Sequence, residues 1–118
     1  MKLKLILMLA SLLLASAGLA HTGLAHSTPE NGAQLQQSPA SIELEFTAAV
    51  MLASLQLEDA DGNHLELQFK PRPAANEMHR VDLPPLADGS YQVIWKALGA
   101  DGHAVEGTIG FSLAATGS

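Results

Sequence analysis

The stretch Trp95-Lys96-Ala97-Leu98-Gly99-Ala100-Asp101-Gly102-His103-Ala104-Val105-Glu106-Gly107 decides how this chain is read. It leaves a strand pattern, passes through a glycine-containing corner and re-enters a strand pattern. Upstream, Tyr91, Val93 and Trp95 alternate with Gln92, Ile94 and Lys96; downstream, Val105, Gly107, Ile109, Phe111 and Leu113 keep the same period. Period-two runs on either side of an Asp-Gly turn predict an antiparallel hairpin. At the corner, Asp101 and His103 stand at i and i+2. Side chains so spaced point to the same side of an extended chain, so a carboxylate and an imidazole can converge on one point.

Working outward, the same period recurs. Residues 42–46, Ile-Glu-Leu-Glu-Phe, alternate strictly between apolar and acidic side chains, as a half-buried strand does. Residues 50–57 form a looser strand with Leu55 and Leu57 on one face, and Asp59-Ala60-Asp61-Gly62-Asn63 is a strong turn. Residues 64–70 alternate again with Leu65, Leu67 and Phe69 inward, and the proline-containing segment 71–77 reads as a loop. A short strand over 78–83, with Val81 and Leu83 inward, stops at Pro84-Pro85, and Asp88-Gly89 turns the chain into the stretch quoted above. Nearer the start, residues 21–32 read as an extended lead-in and a turn at Glu30-Asn31-Gly32, with Pro29 biasing Thr28 towards extended backbone. Residues 34–40 read as a polar loop and 114–118 as a frayed tail. About seven short strands with turn signals between them predict an all-β, two-sheet Greek-key sandwich or barrel of immunoglobulin-like type.

The first twenty residues stand outside that pattern. Lys2 and Lys4 precede the apolar run 5–15, and small residues follow at Ser16, Ala17, Gly18 and Ala20. This is the layout of a secretory signal peptide, too short for a spanning helix. Cleavage after Ala17, Ala20 or Ala25 fits small-x-small rules, because Gly-Leu-Ala-His occurs at 18–21 and again at 23–26. The expected organisation is a leader over 1–20 and one domain over 21–118, exported to the periplasm. Removing the leader takes away two of the six basic residues and none of the twelve acidic ones, so the formal net charge becomes −8 instead of −6. Such a chain is a poor partner for nucleic acid or an anionic membrane, both of which need basic surface. There is no cysteine. The domain therefore has no disulfide and relies on its core, and thiolate is excluded both as nucleophile and as metal ligand.

Neither a phosphate loop, a nucleophile elbow nor a His-Glu-x-x-His helix is present. The chemistry-bearing residues are the five histidines, His21, His26, His64, His79 and His103. A chain that starts with histidine offers two nitrogens from one residue, the α-amine and the imidazole, both of which can lose a proton near neutral pH. Joined by the His103 imidazole and the Asp101 carboxylate, they make a three-nitrogen, one-oxygen set, which favours Cu(II). Only Met51 and Met78 follow the leader and they are far apart in sequence, so no methionine-rich Cu(I) site is expected. The bland reading is that Asp101 and His103 are solvated turn residues. Beside turns or strand starts, His64 and His79 are expected to be simply exposed; Met51, Met78 and Trp95 are expected to pack. His26, close to the processed end, is a candidate for an extra ligand or for a residue that supports one, and Glu106 is expected to be a solvated charge or to orient an imidazole.

The residues quoted so far resemble the CopC family of periplasmic copper-binding proteins across the whole of 21–118. The family opens with His at the processed N-terminus, here His21, followed by Thr28-Pro29-Glu30-Asn31-Gly32. An alternating strand ending in Phe-Ser/Thr matches residues 42–47. Its most specific part is aromatic-x-Val-x-Trp, a short loop, Asp-x-His and Gly-x-x-x-Phe, here residues 91–95, 101–103 and 107–111. The resemblance implies a copper-resistance and copper-homeostasis role, with one Cu(II) per chain held by His21, Asp101 and His103. It also implies cleavage between Ala20 and His21, and a CopD-type inner-membrane partner. Many members carry Glu near the copper where this chain has Ala48. Two competitors belong to other classes. A histidine-brace copper oxidase would need a flat aromatic surface, but Tyr91 and Trp95 lie inside a strand pattern. A metal-free interaction module would take up no copper at all. The expectation is therefore a binding protein, not an enzyme.

Overall fold

The computed structural model describes residues 23–71 and 73–115. The expected leader and His21 lie outside these residues. Within them are seven strands and no helix: β1 (Leu24–Thr28), β2 (Ala33–Leu35), β3 (Ser41–Asp59), β4 (His64–Leu65), β5 (Asn76–Asp82), β6 (Gly89–Gly99) and β7 (Ala104–Leu113). The seven-stranded all-β fold expected from the alternation is the fold observed. Every pairing is antiparallel except that of β2 with β7.

The two strands expected over 42–46 and 50–57 are one strand, β3, and all seven strands form a single sheet that curls so that its two parts, the layers of the fold, pack on one another. The first part of β3 pairs with β1 and β5; its second part pairs with β6 and, at its end, β4. Val50 is opposite both Asn76 of β5 and Gly99 of β6, so β5 and β6 occupy opposite edges of β3 there. Because β1 also lies opposite β5, strands β1 and β6 follow one another along the same edge. The register with β5 jumps from Glu45↔Met78 to Val50↔Asn76, so residues 46–49 form a wide bulge. Bulges bend a strand and re-aim it, and this one is the corner where β3 passes from one layer to the other.

A second irregularity explains why the apolar pattern of 50–57 looked loose. Opposite β6, Leu52 pairs with Ala97 and Ser54 with Lys96, so Ala53 is an extra residue. The buried side chains of β3 are Ile42, Leu44, Phe46, Val50 and Leu52, then Leu55 and Leu57. One inserted residue switches the inward parity from even to odd, since the side-chain period is two. Phe46 meets Trp95 edge-on at 5.2 Å although the two are not paired in the sheet, which puts the contact between the layers. Trp95 lies over Gly107, its partner on β7, where an added Cβ would come within 2.7 Å of the indole.

Several expectations need correction. Only His64 and Leu65 of the 64–70 run are hydrogen-bonded as a strand, although Leu67 and Phe69 still pack on the core. Alternation records which side is buried, not whether the backbone has found a partner. The polar loop expected from residue 34 includes β2, held to β7 by Gly32 N–H donating to the Gly110 carbonyl at 2.7 Å and by the Asn31 side chain accepting from Gly110 N–H. His79 is part-buried rather than exposed: its ring meets Phe46 edge-on, and Nε2 lies 2.8 Å from the Val50 carbonyl. Met78, expected to pack, is 50% exposed. Trp95 is in the core as expected.

Candidate metal centre

The β6–β7 hairpin closes through a three-residue loop, Ala100-Asp101-Gly102. Leu98 and Ala104 are the last paired residues of the two strands. Gly99 N–H then donates to the His103 carbonyl at 2.9 Å, and Gly102 N–H donates to the Gly99 carbonyl at 3.0 Å. Gly102 takes φ +87°, a conformation that glycine adopts without steric cost. The same tripeptide, Ala60-Asp61-Gly62, makes the same loop between Asp59 and Asn63, again with the glycine at positive φ. The Asp-Gly pair is therefore explained by turn geometry alone. What distinguishes the β6–β7 loop is the histidine that follows and the glycine that precedes.

At the first loop, Asp59 folds its own carboxylate over the turn, accepting from Asp61 N–H and Asn63 N–H at 2.9 Å each. At the second, Gly99 has no side chain, and a Cβ there would sit 3.1 Å from Asp101 Oδ1. The Asp101 carboxylate takes that space. It accepts from His103 N–H at 3.0 Å through Oδ1, and from the His103 ring, Nδ1 to Oδ2, at 2.8 Å. A carboxylate can only accept, so Nδ1 carries the proton and Nε2 is left with its lone pair facing outward. Both side chains are open to solvent. The hydrogen bond to Asp101, reinforced by its charge, raises the pKa of His103. The bond from the His103 side chain, then that from its backbone, lowers the pKa of Asp101. An imidazole oriented in this way by a carboxylate is a prepared metal ligand; because Nε2 points away from the carboxylate, Asp101 must release Nδ1 to share one ion with it.

Along the edge of β3 that carries β1 and β6, the two strands approach one another end to end. Gly23 N–H donates to Thr47 Oγ1 at 3.0 Å, and Thr47 N–H donates to the Gly23 carbonyl at 2.9 Å. Three residues further along β3, Val50 pairs with Gly99 at the root of the Asp101–His103 loop. The backbone of β1 thus runs, in the direction of its N-terminus, towards that loop. Ala48 lies in the bulge between these two pairings.

Other candidate residues are elsewhere. His64 is beside Glu58 at 2.8 Å, near the far end of β3. His79 is committed to Phe46 and Val50. Glu106 faces Lys96 across the hairpin, so the residue that orients His103 is Asp101 and not Glu106. His21 is outside the described residues. Among the described residues no three His, Asp or Glu side chains gather as a metal-holding group, and no polar or charged side chain is buried. The hairpin therefore offers two donors at the surface and needs further ones from another segment.

A family model described as the CopC domain matches residues 24–114. Copper resistance protein C of Xanthomonas campestris pv. juglandis is 27% identical over 96 residues, covering 74% of this chain and 75% of that protein. The crystal structure of CopC from Methylosinus trichosporium OB3b superposes with a TM-score of 0.69 at 29% identity, over 79% of this chain and 93% of that one. PcoC, a methionine-rich copper resistance protein from Escherichia coli, shares the fold with a TM-score of 0.63 at 23% identity, over 80% of this chain and 99% of that one.

Proposed function

The chain belongs to the CopC family, and from that membership and the hairpin geometry we propose that it is a periplasmic protein that binds one Cu(II) through His21, Asp101 and His103. It sequesters the ion or passes it on, to a CopD-type membrane protein where one is present, and carries out no catalysis. The donors are the His21 α-amine and imidazole, the His103 imidazole and a carboxylate oxygen of Asp101, which exchanges its hydrogen bond with His103 for the ion. A set of three nitrogens and one oxygen suits Cu(II), and its described members, Asp101 and His103, are at the surface, as suits an ion that is to be handed over.

The observation that supports this reading is the pairing of Gly23 with Thr47 on the edge where Val50 pairs with Gly99. His21 is two residues upstream of Gly23, and two residues span at most roughly 7 Å. Thr47 and Val50 are separated by about 10 Å of strand. The backbone from Gly23 to His21 covers most of that distance and the side chains of His21 and the loop cover the rest, whereas a chain starting at His26 has lost the residues that point there. Ala48, in the intervening bulge, adds no charge to the ion's surroundings.

The test is a Cu(II) competition titration on protein starting at His21 and on the same protein with one alanine placed before it. The extension leaves every described residue unchanged but removes the amine–imidazole chelate. A loss of affinity of at least about a hundredfold is expected, with a comparable loss for His103→Ala. Equal affinity with and without the extension overturns the proposal.

A further inference from the structure

We propose a second metal site, for a soft monovalent ion such as Cu(I), on the outer face of the β1–β3–β5 layer, where the His26 imidazole and the Met78 thioether flank the Glu45 carboxylate. It is separate from the hairpin centre and does not depend on it. The three residues form one row across three strands: His26 pairs with Glu45, and Glu45 pairs with Met78. Directly opposed side chains on adjacent strands share a face of the sheet.

His26 reaches that row only because β1 is bulged. Leu24 pairs with Phe46 and His26 with Glu45, so Ala25 is an extra residue. In regular pairing His26 would stand opposite Leu44, whose side chain is buried, and the imidazole would point into the core. The inserted alanine turns it outward beside the carboxylate. Bulges that re-aim a side chain in this way concentrate next to functional sites. The second copy of Gly-Leu-Ala-His thus ends on a histidine with a defined place in the sheet.

The donors are also unclaimed. In the neighbouring row, Glu43 has Arg80 at 3.9 Å. Neither Glu45 nor His26 has a hydrogen bond or ion pair among the described residues. Met78 is half exposed, the one large apolar side chain that is exposed among the described residues. All three residues line one surface depression of about 360 Å³. The outer strands of three adjacent ones lie roughly 10 Å apart, a gap that an imidazole and a thioether leaning inward can close around one ion above the carboxylate. A thioether selects soft ions, imidazole accepts them, and one carboxylate balances a single positive charge.

The experiment uses Ag(I), a redox-inert stand-in for Cu(I), on the metal-free exported protein labelled at the methionine methyl groups. One equivalent is expected to move the Met78 ε-methyl resonance and to leave that of Met51 in place. Met78→Leu conserves volume at a half-exposed position, and His26→Gln changes an exposed one. Each is expected to weaken Ag(I) at least about tenfold while Cu(II) affinity stays within about twofold. An unmoved Met78 resonance, parental Ag(I) affinity in both variants, or loss of Ag(I) binding in His103→Ala overturns the proposal. Because Cu(II) is titrated in parallel, a failure here is distinguishable from a failure of the hairpin reading.

Discussion

A missing methyl group at Gly107 decides where Trp95 can lie. An added Cβ would approach three indole atoms at 2.7, 2.9 and 3.1 Å, and Phe46 stands against the ring, so the indole has little room to retreat. Gly107→Ala is expected to cost about 1–3 kcal/mol through overpacking, read as a lower urea midpoint at unchanged slope. At the loop, the charged pair sets a pH dependence. A raised His103 pKa favours the folded contact below the ordinary histidine value, and that benefit is lost as pH rises through the raised pKa. The lowered Asp101 pKa gives a benefit present above the ordinary carboxylate value, and that is lost as pH falls through the lowered one. The contact is at full strength between the reference values of 3.8 and 6.5. Both groups are exposed, so the effect on global stability is screened and small. Its effect on metal binding is direct, since Asp101 stabilises the imidazolium and so helps to retain the proton on Nε2, the one a cation must displace. Asp101→Asn is expected to move the His103 pKa down towards its ordinary value in a ring-proton NMR titration of metal-free protein. An unchanged or higher value would show that the 2.8 Å contact does not form in solution.

At the scale of elements, β3 joins the layers, and its parity depends on one residue. Deleting Ala53 would carry Leu55 and Leu57 from the core face to the solvent face or force β6 out of register. The deletion is expected to abolish the cooperative fold, seen as loss of dispersed amide resonances. Ala53→Ser, which keeps the count, is expected to leave them intact. This also explains what could be read from the residues beforehand. The β6–β7 hairpin was legible because both its strands keep a period of two, with only Ile94 apolar among Gln92, Ile94 and Lys96, and its loop has the Asp-Gly chemistry that a three-residue turn requires. Residues 42–46 were legible for the same reason. The continuity of β3 was not, because its bulges at 46–49 and at Ala53 break the period that identifies a strand. The outward aim of His26 was hidden by the bulge at Ala25, and β2 by its parallel pairing with a strand far away in sequence. At the site, Asp101 and His103 were visible through their i, i+2 spacing. The role of Gly99 was not, since an absent side chain matters only once the turn puts a carboxylate beside it.

At the scale of the whole molecule, the proposed copper site joins the start of the domain to a hairpin more than seventy residues further on, and that separation has a thermodynamic signature. An ion bound only by Asp101 and His103 would be held within one loop. The unfolded chain keeps those two residues just as close in sequence, and a ligand that binds folded and unfolded states alike stabilises neither. An ion that also requires His21 needs the pairing of β1 and β6 along one edge of β3, which only the folded molecule provides. At a free Cu(II) concentration about a hundred times the dissociation constant, stabilisation of about 2.7 kcal/mol follows. For a domain of this size, that is a rise in Tm on the order of 10–20 °C. The rise is expected for protein starting at His21 and is expected to vanish when one alanine precedes it, with the Tm of the two metal-free forms equal. If both forms gain the same Tm with copper, the ion is held without the chain end, and the link between β1 and the β6–β7 loop has no part in binding it.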